Sequence, residues 1–244
     1  MLLGKQPAKQ DVRNLMLRTI LRADRPAIPA AFDVDEFLVG GHLNNHMFLN
    51  DQLGCCVIAG RAHHTIRLEL KEQGGVVGIQ DAEVKKEYFL ESGGKDEGLE
   101  VLPSLNKWRQ DGWLLGWTTF KIDAFAEIRH QDHDAIKTAI CNLMGVGLGL
   151  GLPITAQRQL DNGEPWTKTG TSGSASPYSW GGHYVYVVGY NETGPVCITW
   201  GQRQQMSWDF VDFYADECYS VIDATTPVYN VVDRAKVANF LKTL

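Results

Sequence analysis

Apolar positions recur every three or four residues in some stretches and every second residue in others, and the two periods sort the chain into helices and strands. Ile58, Ala62, Ile66 and Leu70 form one stripe, which predicts a helix from the Cys55–Cys56 pair to the Gly74–Gly75 stop. Similar spacing predicts a helix over 11–23, with Val12, Leu15, Met16 and Ile20 on its apolar side and Asp11 as N-cap. Further helices are expected over 81–92, over 103–110 with Pro103 in the first turn, and over 233–244 using Val237, Phe240 and Leu241. Asp132 or Asp134 caps another that carries Ile136, Ile140 and Leu143 and stops at Gly145. Strict alternation from Val146 to Leu152 predicts a strand with one all-glycine face, open to close approach by another backbone or a ligand. Two more strands, 184–188 and 196–200, pair across the turn Asn191–Gly194. A short helix follows from a Ser207 cap to Tyr214, and then a strand over 218–222. The Gly/Ser/Thr-rich stretch 157–180 reads as a loop too long to be a mere connection. Helices crowd the chain before Gly145 and strands dominate after it, which is an α+β arrangement and not an alternating α/β one.

Composition narrows the function without choosing it. The chain has 244 residues, 44% hydrophobic and 21% charged, enough for a substantial core. A net charge of −6 and the lack of a basic, aromatic-laced run give no reason to expect nucleic acid as a partner. Neither a secretory h-region nor an apolar run long enough to span a bilayer is visible, so no membrane partner is expected and the location is read as cytoplasmic. Five cysteines in no framework spacing read as reduced thiols, and with no C-x-x-C pair no metal site or cofactor is expected.

Two positions carry chemistry. Cys56 falls at the start of its helix, where free N–H groups favour an anion and would ease ionisation of a thiol. His183 follows Gly181-Gly182 and opens a strand, so it sits at the mouth of a sheet with small neighbours. A thiol and an imidazole from separate halves of a chain are a common way to assemble a nucleophile and its base. The bland alternative is two small buried cysteines and a structural histidine. Other polar groups are read as structural: His63-His64 point apart on one helix, His130 and His133 lie at an exposed helix start, and Asp216-Glu217 belong to a solvated turn.

These segments resemble papain-like cysteine peptidases. Gly54-Cys55-Cys56 before a helix is similar to the family's Gly-Ser-Cys-Trp nucleophile segment, with Val57 for the Trp. Gly181-Gly182-His183-Tyr184-Val185 through Val188-Gly189-Tyr190 matches Gly-Gly-His-Ala-Val-x-x-Val-Gly-Tyr apart from Tyr184. Ile198-Thr199-Trp200-Gly201 falls where the family has Asn-Ser-Trp-Gly. The match covers most of residues 28–222, is specific at the Cys56 and His183 segments, and is nearest to the small papain-like proteins of bacteria and phages. It implies an N-terminal helix and connector over 1–27, then a papain-like domain over 28–244 with a helical left half, an antiparallel right half and a C-terminal helix.

The resemblance implies a thiol-dependent hydrolase acting on peptide or protein, with Cys56 as nucleophile, His183 as base and Asn50 with the Cys56 N–H holding the oxyanion. Asn50 stands where the family has glutamine, and Gln52 is a second candidate donor at the wrong spacing. Ile198 replaces the asparagine that orients the histidine, so Thr199 or Gln202 takes that part or the site is a dyad, while Trp200 shields the histidine contact from water. The glycine face of 146–152 and the 157–180 loop are candidates for the substrate groove. The region before Asn50 is too short for the family's inhibitory prosegment, so activation by removing one is not expected. Alternatives that the resemblance implies are a papain-like scaffold with a binding or virion-assembly role, as an oligomer or particle component and so virion-associated, and an acyl transferase or cell-wall amidase using the same dyad.

Overall fold

The computed structural model describes residues 1–223 and 231–243. In chain order the first half carries α1 (Leu17–Ile20), β1 (Phe32–Asp33), α2 (Val34–Val39), α3 (Cys56–Gln73), α4 (Asp81–Glu91), α5 (Val101–Gln110), the hairpin β2 (Trp113–Leu115) and β3 (Thr118–Phe120), β4 (Ala124–Glu127) and α6 (His133–Asn142). The second half carries β5 (Val146–Leu152), α7 (Ile154–Asp161), β6 (Gly181–Tyr190), β7 (Pro195–Thr199), β8 (Gln202–Gln205), α8 (Trp208–Tyr214), β9 (Ala215–Ile222) and α9 (Arg234–Leu241). The main sheet runs β4-β9-β5-β6-β7-β8, all antiparallel, with β1 also paired to β6. This is the expected α+β class, helices first and antiparallel sheet after.

α3 packs its Ile58, Ala62 and Ile66 stripe inward, but it is buried on every side from Cys56 to Glu69. Its two buried arginines are paired. Arg61 reaches Glu87 and Glu91 of α4 and the Ser104 carbonyl of α5. Arg67, fully buried, forks onto Asp35 of α2 at 2.8 and 3.0 Å, and Arg203 of β8 joins the same carboxylate at 2.9 Å. Buried charges persist only when matched in this way. The two clusters lock α3 to the other helices and to the sheet, and so fix where its N-terminus lies.

Two sequence expectations change. The helix over 11–23 shrinks to Leu17–Ile20, because this segment is strapped along the sheet instead. Its Leu15 carbonyl accepts from Glu127 N–H at 2.7 Å, and Arg22 N–H donates to the Val231 carbonyl at 2.8 Å. Val12, on the predicted apolar side, is fully exposed. The stretch 157–180 is not all loop, since α7 runs into it as far as Asp161. Of the two expected caps for α6, Asp132 is the one that serves, through the Ala135 N–H. The end of the predicted 233–244 helix lies outside the described residues at position 244; α9 spans Arg234–Leu241, with Asp233 capping Ala235 and Lys236.

Candidate active site

The nucleophile segment is built from a tight turn. Phe48 and Leu49 both take left-handed backbone angles, φ 52° and 59°, and turn the chain so that Asn50 is buried. Gly54 then donates its N–H to Asp96 at 2.9 Å, and Gly4 packs directly against it. Cys55 is the N-cap of α3, and its thiol faces inward to the Phe48 carbonyl at 3.3 Å. Cys56 is the first helical residue, so its own N–H has no partner within the helix.

The opposing wall is β6. Antiparallel register sets Leu150 against His183 and Gly149 against Tyr184. Tyr184, the one mismatch in the histidine segment, fits because two glycines make room. A Cβ on Gly60 would fall 2.7 Å from its ring, and one on Gly147 would fall 1.6 Å from its hydroxyl. The helix and strand are thereby brought into direct contact, and Asn50, Cys56, Tyr184, Thr199 and Trp200 line one small enclosed cavity.

β7 and β8 supply the histidine's surroundings. They are joined by a two-residue turn, Trp200-Gly201, in which both residues have positive φ, 43° and 73°. Such turns match the twist of a hairpin. A tryptophan in that conformation is strained, and it is held by what it touches. Its ring stacks on His183 at 4.0 Å and 8°, and its Nε1 donates to the Leu2 carbonyl at 3.2 Å. Thr199 Oγ1 lies 2.7 Å from His183 Nε2. Gln202 is exposed at the start of β8 and makes no such contact, and Ile198 is buried in the core of β7. The other imidazole nitrogen, Nδ1, is buried and has no hydrogen-bond partner. Gln52 is exposed, whereas Asn50 lines the cavity and donates from Nδ2 to the Leu53 carbonyl at 3.3 Å, with one amide hydrogen left over.

The chain's own first residues cross this site. Leu2 N–H donates to the Asn50 carbonyl at 3.4 Å, and Lys5 N–H to the Gly182 carbonyl at 3.1 Å. On the other side Gln6 N–H donates to the Leu99 carbonyl at 2.9 Å, and Leu99 N–H to the Gly4 carbonyl at 2.8 Å. This segment, residues 2–6, lies over the site. The cover reverses the expected electrostatics. Burial pushes the Cys56 thiol up to about 11, although backbone N–H groups of Tyr184 and Gly4 pull it down. Burial likewise pushes His183 down to about 3. A helix N-terminus favours a thiolate, but here the loss of water outweighs it, and burial holds both the Cys56 thiol and the His183 imidazole neutral.

Asp216-Glu217 are also not a solvated turn. They lie on β9, where the pairing with β5 shifts between Gly149 and Leu150: Gly149 faces Glu217, Leu150 faces Ala215, and Asp216 is the extra residue. A bulge of this kind breaks the up–down alternation, so two consecutive carboxylates reach the same point. That point is Lys5. Its ammonium lies 2.8 Å from Asp216, 3.1 Å from Glu217 and 3.3 Å from the Tyr178 hydroxyl, with its side chain wholly buried. The all-glycine face of β5 was the only sequence signal here, and it is used: a Cβ on Gly149 would meet Lys5 and Glu217 at 2.3 and 2.5 Å, and one on Gly151 would meet Tyr178 at 2.5 Å. His63 and His64 are buried in α3, and His133 is half-buried, within 2.7 Å of Asp212.

Among solved structures, xylellain, a cysteine protease from Xylella fastidiosa, is similar with a TM-score of 0.68 and 15% identity, over 91% of this chain and 96% of that one. Procathepsin B S9 from Trypanosoma congolense gives 0.59 at 11% identity, over 91% and 86%. The Carica candamarcensis cysteine protease CMS1MS2 gives 0.54 at 12% identity, over 80% and 99%. No protein-family model and no curated protein matches the chain. The fold is papain-like. No helix among the described residues is long and apolar enough to cross a membrane.

Proposed function

We propose that the chain is a thiol-dependent hydrolase of peptide or protein substrates, with its N-terminal segment lying over the site in the form described. The observation that carries this is the bracket around His183. Thr199 holds Nε2 and Trp200 holds the ring plane, which leaves the buried Nδ1 as the one uncommitted nitrogen. In the proposed reaction that nitrogen takes the Cys56 proton as sulfur bonds to the scissile carbonyl carbon. The oxyanion is received by the free Cys56 N–H and the remaining Asn50 amide hydrogen. As the carbonyl re-forms, the C–N bond breaks and the imidazolium returns its proton to the leaving amine. Water then attacks the thioester, gives its proton to His183, and releases the acid and the thiol. The residue set is that of a Cys-His dyad steadied by a threonine, with Trp200 excluding water.

The test is hydrolysis of a mixed peptide library by the Lys5→Ala chain, which loosens the cover, followed by mass spectrometry. Cleavage that disappears in Cys56→Ala and falls about 10²- to 10⁴-fold in His183→Ala supports the reading. Cleavage that survives Cys56→Ala, or no cleavage of any peptide, overturns it. The latter result favours the second reading, a papain-like scaffold with a binding role, for which Ile198 in the orienting position is the supporting observation.

A further inference from the structure

The segment that covers the site is held in two different ways. Its main chain is gripped through the Gly182 and Leu99 backbone, contacts that any extended polypeptide can make. At Lys5 a wholly buried charged side chain enters a made-to-measure space. The floor is Gly149, where even a methyl group would strike the lysine stem at 2.3 Å, and the walls are Asp216, Glu217 and Tyr178.

We infer that this acidic pocket is a specificity pocket for a basic side chain, that Lys5 is its built-in occupant, and that preferred substrates present lysine or arginine to it. The inference rests on the hydrolase reading for its consequence, since that reading makes the groove beside Cys56 a substrate groove. The physical case lies in Glu217. It is 5% exposed, and neither of its oxygens has a well-aligned hydrogen bond, so the ammonium at 3.1 Å is its main compensation. A buried carboxylate without a cation is costly, so an apolar or acidic occupant leaves the pocket worse off than water does. Both ends of the contact register this. Burial drives the Glu217 carboxyl up to about 7 against the pull of Lys5. Lys5, which burial alone would push down, is held above its ordinary value by Glu217 and Asp216. The bulge at Asp216 brings a second carboxylate to one cation, which regular strand geometry would not allow.

Binding tests the pocket apart from catalysis. In the full chain carrying Lys5→Ala and Cys56→Ala, a fluorescein-labelled peptide with the sequence of residues 2–7 is titrated by anisotropy. It is compared with peptides in which norleucine, glutamate or arginine replaces the lysine. The lysine or arginine peptide should bind roughly thirtyfold tighter than the norleucine one, and that ratio should collapse in Glu217→Gln. Equal affinity for lysine and norleucine overturns the inference. A second readout needs no emptied pocket: with native Lys5, Glu217→Gln should speed capture of Cys56 by iodoacetamide at pH 8, and an unchanged rate counts against the pocket. Hydrolysis of the same peptides by Lys5→Ala separates the two claims. Cleavage without basic preference removes the pocket and leaves the hydrolase, while selective binding without cleavage removes the hydrolase and leaves the pocket.

Discussion

The histidine's third partner is where single residues decide most. Ile198 aligns with the family's orienting asparagine and offers no acceptor, yet the next residue does the work of contact: Thr199 Oγ1 is 2.7 Å from His183 Nε2. Alternation explains why the sequence left Thr199 and Gln202 open. Both flank the Trp200-Gly201 turn and pair with each other across it, so either could have faced the ring until the twist of the hairpin was known. Thr199→Val keeps the shape and removes one neutral hydrogen bond, a loss of ~1 kcal/mol, so kcat/KM of the uncovered chain should fall about fivefold and Thr199→Ser should restore it. Rates measured on a peptide that the Lys5→Ala chain cleaves check this. A fall of equal size in Thr199→Ser would show that the methyl packing matters and not the hydroxyl.

At the scale of elements, what could be read from the sequence was what obeys a period. The stripe on α3, the alternation in β5 and the hairpin of β6 and β7 appear where expected, with ends shifted by a few residues. Two things break the periods and could not be read. One is the bulge in β9, which turns Asp216 and Glu217 to the same lysine. The other is the strap over 11–23, which has helical spacing but finds backbone partners at Glu127 of β4 and at Val231. The glycine face of β5 was legible as open space, and the structure fills it with Tyr184, Lys5, Glu217 and Tyr178 side chains. Gly147 carries the tightest of these contacts, since its Cβ would lie 1.6 Å from the Tyr184 hydroxyl. Gly147→Ala should cost about 1–3 kcal/mol through overpacking, with the melting temperature falling several degrees in differential scanning calorimetry. The double change Gly147→Ala with Tyr184→Ala should destabilise by less than the sum of the two single changes, because the second removes the ring that the first strikes.

For the whole molecule, the papain-like fold gathers the candidate site residues from several elements and lays the first residues of the chain over them. α3 is pinned by buried arginines, β6 supplies His183, the β7–β8 hairpin supplies Thr199 and Trp200, and residues 2–6 run between Gly182 and Leu99 across the top. None of that last crossing is periodic or motif-bearing, so nothing in Leu2-Leu3-Gly4-Lys5-Gln6 announced it. Its consequence is electrical. With the cover in place burial keeps Cys56 neutral up to about pH 11 and His183 neutral down to about pH 3, and the pair has little thiolate in the neutral range.

The pH dependence of Cys56 alkylation by iodoacetamide, located by peptide mapping, therefore tests the central claim most directly. In the native chain the rate should climb only toward a midpoint near pH 11, because burial raises the thiol's pKa and the reactive thiolate appears above it. In Lys5→Ala the midpoint should move down as water and a protonatable His183 reach the sulfur, and adding His183→Ala should move it back up. Identical profiles in all three proteins, or alkylation shared equally with Cys55, would contradict a covered Cys56–His183 pair.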